Sequence, residues 1–138
     1  NIEADNPLDH DRPNQHTSDL NEEEQDQFNQ CHGGVMLFNL RGPLSFGAAK
    51  GISDRMGLVE NYKVLILDIS NVPHLGVTAT LAIERMVQEA KTNDRQAYVT
   101  GATGKVEKRL KQFGVGNLLP NRLEALHQAN LLINNGQE

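Results

Sequence analysis

The chain contains no tryptophan, one cysteine and six aromatic residues among 138. Cys31 has no partner for an internal disulfide, which fits a reducing compartment. A zinc site needs several clustered ligands, and His10, His16 and His32 lie in a polar stretch without ligand-like spacing, so no metal is expected. Long hydrophobic runs are missing too. The longest apolar stretches, Val35–Phe38 and Val64–Leu67, fall far short of the ~20 residues of a membrane-spanning helix. The N-terminus is acidic and lacks the apolar centre of a secretory signal. Scarce aromatics and a pI near 5.5 argue against a nucleic-acid partner. No nucleophile elbow, reactive-cysteine setting or carboxylate-pair motif is visible, so the chain is not expected to be an enzyme, and no cofactor is implied. The chain opens on Asn1 and its first methionine is Met36, which suggests a piece of a longer protein.

What is present is unevenly charged. Residues 1–32 hold nine acids and one base, a net −8, whereas residues 33–138 hold twelve bases and nine acids, a net +3. Residues 1–27 are rich in Asn, Asp, Gln and Pro and poor in aliphatics. They are expected to be a largely disordered acidic linker, either solvated or docked on a basic face.

Beyond the linker, strand and helix patterns alternate. Phe28–His32 reads as a short strand, turned by Gly33-Gly34 into a second strand, Val35–Leu40. Ser45 is placed to cap a helix through Met56, with Phe46, Ala49, Ile52 and Met56 at helical spacing. Lys63–Asp68, apolar on both faces, suits a covered central strand. A helix is expected over Val77–Lys91 with Thr80, Ile83, Val87 and Ala90 facing inward. Gln96–Thr100 is a strand and Lys105–Phe113 a helix ended by Gly114. Asn117–Leu119 is a short strand, and Asn121 with Glu124 forms a capping box for a last helix to Ile133. The order β-β-α-β-α-β-α-β-α implies right-handed crossovers. It predicts an α/β fold with a mostly parallel four- to five-stranded sheet, an N-terminal hairpin edge and about four helices.

This order, with Asp68-Ile69-Ser70-Asn71-Val72 at the end of a central strand and a helix starting near Val77, resembles the STAS family over roughly residues 28–135, which implies a STAS domain over 28–138. That family includes soluble anti-sigma-factor antagonists and domains of SulP anion transporters. Where the antagonists carry Asp-Ser-Ser-Gly, this chain has Gly76-Val77-Thr78-Ala79, so only the hydroxyl of Thr78 survives. Arg41-Gly42-Pro43-Leu44-Ser45-Phe46-Gly47-Ala48-Ala49 is similar to a segment of SulP domains. Within that class the chain resembles cyanobacterial bicarbonate carriers.

The resemblance implies a regulatory or assembly domain at the cytoplasmic face of a membrane, soluble by itself, following a membrane domain that transports an anion, with sodium-dependent bicarbonate as the expected cargo. Its implied partners are the membrane domain of the same transporter, a second copy of the chain paired through the 28–32 edge, and a regulatory protein or kinase. Alternatives are a free anti-sigma-factor antagonist and a nucleotide-binding domain.

The candidate binding loop is Asp68, Ser70, Asn71, His74, Gly76, Val77 and Thr78, with Thr78 as the regulatory, phosphorylatable position. Turn chemistry for Asp68 and Ser70, a helix N-cap for Thr78 and simple exposure for His74 compete with those roles. Lys105, Lys108, Arg109 and Lys111 form a basic helix face for lipid headgroups, transporter loops or the acidic linker, or a merely solvated one. Gly101-Ala102-Thr103-Gly104-Lys105 lacks the glycine spacing of a phosphate loop, and nucleotide contact there is the weaker reading.

Overall fold

A computed structural model describes residues 20–41, 46–56 and 61–135. The elements run α1 (Glu22–Gln30), β1 (Val35–Arg41), α2 (Phe46–Met56), β2 (Val64–Asn71), α3 (Val77–Thr92), β3 (Gln96–Thr100), α4 (Gly104–Gln112), β4 (Leu118–Leu119) and α5 (Arg122–Asn135). Among the described residues the sheet is four-stranded, all parallel, in the order β1-β2-β3-β4. Parallel neighbours taken in sequence need right-handed crossovers, which put the intervening helices α2, α3 and α4 on one face.

The strands alternate to match. Met36, Phe38, Leu65, Leu67 and Val99 belong to the core shared with α3 and α4, and Ile52 brings α2 into it. Val35, Leu37, Val64, Ile66 and Tyr98 face the opposite way, onto Ala125, Leu126, Ala129 and Ile133 of α5. Because β2 carries helices on both faces, its Val-Leu-Ile-Leu run is fully buried, as expected from the sequence. Thr80, Ile83, Val87 and Ala90 are the buried stripe of α3, and Val106 and Leu110 that of α4. Phe113 lies at the end of α4 and is only half-buried.

The N-terminal hairpin edge is not formed. The stretch expected to supply its first strand ends a fifth helix, α1, and β1 itself is the edge of the sheet. Asn21 Oδ1 accepts from the Glu24 backbone N–H (2.8 Å), while Glu24 Oε1 accepts from the Asn21 N–H (3.0 Å). This capping box starts the helix, and three acids in its first turn complement the dipole. Phe28 and buried Cys31 then pack on the α5 face of the sheet. Gly33, at φ +80°, still makes a turn, but from helix into strand. The expected linker boundary at 27/28 therefore falls inside α1, and pairing of two copies through a 28–32 strand loses its basis. Residues 1–19, and the segment 42–45 with its Ser45 cap, lie outside the described residues, as do the side chains of Phe46, Ala49 and Met56.

Candidate functional site

The seven loop candidates do not form one site. Asp68 is buried at the carboxyl end of β2 and is saturated with partners. Its Oδ1 accepts from the Thr100 hydroxyl (3.1 Å) and the Ser70 backbone N–H (3.2 Å). Arg122 Nε stands 3.6 Å from Oδ2, and the other arm of the same guanidinium donates to Glu24 Oε1 at 3.2 Å. This polar knot joins β2, β3, α5 and α1. Ser70 and Asn71 are the last residues of β2 rather than loop residues. With Arg41, Asn121, Arg122 and Glu24 they line a hollow of about 310 Å³. Gly101 packs tightly against Ser70: at φ +81°, a Cβ there would lie 2.5 Å from Ser70 Cβ and 2.8 Å from its Cα.

His74 points elsewhere. With Pro73, Lys105, Lys108, Arg109 and Gln112 it lines a second cleft of about 320 Å³ between the β2–α3 loop and α4. Two candidate sets that are separate in sequence, the loop histidine and the basic helix, thus meet in space. Lys111 is not among the lining residues. It pairs with Glu107 at 3.3 Å on the exposed side of α4, an ion pair of little energetic weight.

Gly76, not Thr78, is the N-cap of α3. Thr78 is the second helical residue and exposed, beside Val77 (50% exposed) and Leu81 (40%). The hydroxyl that bonds back across this first turn belongs to Thr80, which donates to the Gly76 carbonyl at 2.6 Å. Sequence reasoning missed Glu24, Thr100 and Arg122. The Asn-x-x-Glu spacing at Asn21–Glu24 was the available signal for the first, since the same spacing was legible at Asn121–Glu124, where Asn121 Oδ1 accepts from the Glu124 N–H (2.9 Å).

Burial raises the Cys31 thiol to about 11, which keeps it protonated and unreactive near neutral pH. Among the described residues, no three of His, Cys, Asp and Glu gather as a metal site, and no helix is long and apolar enough to cross a membrane.

A parallel sheet with helices on both faces, and a β2–α3 turn displayed at its carboxyl end, is the arrangement of a STAS domain. The STAS domain family matches residues 29–129, and the chain belongs to that family. It is 38% identical over 120 residues to the bicarbonate transporter BicA of Synechocystis, covering 83% of this chain and 21% of that protein. Identity to the bicarbonate transporter BicA of Picosynechococcus is 40% over 103 residues, covering 70% of this chain and 18% of that one. The chain therefore spans about a fifth of the length of these curated relatives. Among solved structures, the SulP transporter STAS domain from Vibrio cholerae superposes with a TM-score of 0.70 at 28% identity, covering 83% of this chain and 99% of that one. A sulfate transporter family protein from Wolinella succinogenes shares the fold, with a TM-score of 0.67 at 24% identity, covering 74% of this chain and 89% of that one.

Proposed function

We propose that the chain is the cytoplasmic regulatory and assembly domain of a SulP-type anion transporter whose membrane part carries bicarbonate with sodium. The observation that carries this reading is the 38–40% identity to two bicarbonate transporters of which the chain accounts for about a fifth. The geometry is consistent with a docking role. The buried polar groups around Asp68 are engaged in holding four elements together, whereas His74, Val77, Thr78 and Leu81 are presented outward. In this reading the domain performs no catalysis and carries no ion. It sets the activity or assembly of the membrane domain by surface contact. Deleting residues 33–138 from the parent protein is expected to reduce bicarbonate uptake or abolish its regulation. Unchanged, normally regulated uptake at equal membrane abundance contradicts the proposal.

Thr78 is the proposed regulatory position. A phosphoryl group there would sit beside the free N–H groups of the first turn of α3, which stabilise negative charge. Mass spectrometry after incubation with a cognate kinase tests this, and failure to modify Thr78 argues against it.

A further inference from the structure

The cleft between the β2–α3 loop and α4 concentrates cations without neutralising them. Lys105, Lys108 and Arg109 follow the spacing i, i+3, i+4, so they project from one side of the helix, and His74 faces them across the cleft. No carboxylate among the described residues is within ion-pair distance of any of the three. By contrast, Lys50, Lys111 and Arg122 each have an acidic partner. A concave surface suits a chain segment better than a flat lipid surface.

The same molecule carries a matching segment. Residues 1–19 hold Glu3, Asp5, Asp9, Asp11 and Asp19 against Arg12 alone, a net −4. The fold also fixes where that arm begins. It joins α1, whose Glu24 lines the same hollow as Asn71, and Pro73, two residues beyond Asn71, lines the basic cleft. Leu20, where the arm begins, packs on the α5 face of the sheet, so the arm passes around this end of the sheet to reach the cleft on the α4 face. Asp9 and Asp11 lie nine to eleven residues before Leu20, a reach of up to ~30–36 Å when extended.

From this exit point and charge match, we infer that the acidic arm docks in cis on the Lys105–Lys108–Arg109–His74 cleft. The inference goes beyond the transporter reading, because it concerns contacts within this chain alone. Docked, the arm covers His74 and competes with any partner for that surface.

Paramagnetic broadening in the full 138-residue chain tests it, with a spin label on Asn6→Cys and isotope-labelled backbone amides. Buried Cys31 resists the label. The expected result is selective loss of signal at His74 and over residues 105–112, relieved at ~1 M salt, where screening acts within ~3 Å. Lys108→Glu with Arg109→Glu should abolish the broadening, and adding Asp9→Lys with Asp11→Lys should restore it. If the first pair perturbs folding, Lys105→Gln with Lys108→Gln serves in its place. Broadening spread evenly over the surface, or insensitive to these reversals, overturns the inference. So does broadening seen only when label and isotope sit on different chains, which would mark a second copy as the occupant.

Discussion

Two hollows of nearly equal size, about 310 and 320 Å³, open at the same end of the sheet and are built in opposite ways. In the first, Asp68, Arg122, Glu24 and Thr100 interlock across residues up to 98 apart in sequence. In the second, three cations and a histidine face an open space with no counter-charge among the described residues. Buried polar groups must be satisfied, so the first is a structural joint. Solvated charges carry no such obligation and remain available to a partner. Membership in a family's recognised loop therefore does not make a residue functional. Asp68 is the best match to the family pattern and is the most firmly committed to structure.

Substitutions should separate the two hollows. The largest stability effect is expected from Gly101→Ala. It combines positive-φ strain with overlap of the Ser70 backbone, about 2–5 kcal/mol together. A falling urea midpoint at constant slope would register it. Arg122→Met comes next, at about 3 kcal/mol, because it leaves two buried carboxylates without their shared partner. A double-mutant cycle with Asp68→Asn should show strong coupling, and simple additivity would mean the knot is not a unit.

On the other side of the comparison, Lys108→Glu with Arg109→Glu should change stability by only ~0.5 kcal/mol while removing docking. A large loss of stability would erase the distinction between joint and surface. The last effect is confined to alkaline pH and concerns Cys31. Its folded thiol titrates near 11 against an ordinary value of 9.0, so the native state holds the proton longer than the unfolded chain. Its contribution is fully present below pH 9 and is lost as pH rises toward 11. Cys31→Ser should flatten that part of the stability profile.

The legible parts of the fold were those whose signal is local. β2 announced itself because Val64–Leu67 is apolar at every position, and α3 because its buried stripe recurs at helical spacing. The α1 region was misread because its acids resemble a solvated linker. All but the buried Glu24 line the outside of a helix anchored by Glu24 to Arg122, by Asn130 and Asn134 to Gln27 and Gln30, and by Phe28 to the sheet. The partner of Glu24 lies 98 positions away, beyond any local pattern. The basic cleft was half-legible. Its cations were visible on one helix and His74 in one loop, but only the parallel crossover from β3 to α4 brings them together. Thr78 lost its capping role for a smaller reason, since the helix starts two residues earlier than a threonine cap requires.

The most direct test of the whole account is bicarbonate uptake by the full-length parent protein carrying Lys108→Glu with Arg109→Glu, at equal membrane abundance and with the domain's folding verified. Altered uptake, or altered response to its regulator, is the result expected on the proposal that the cleft is a working surface. Uptake and regulation identical to the unaltered transporter would contradict that.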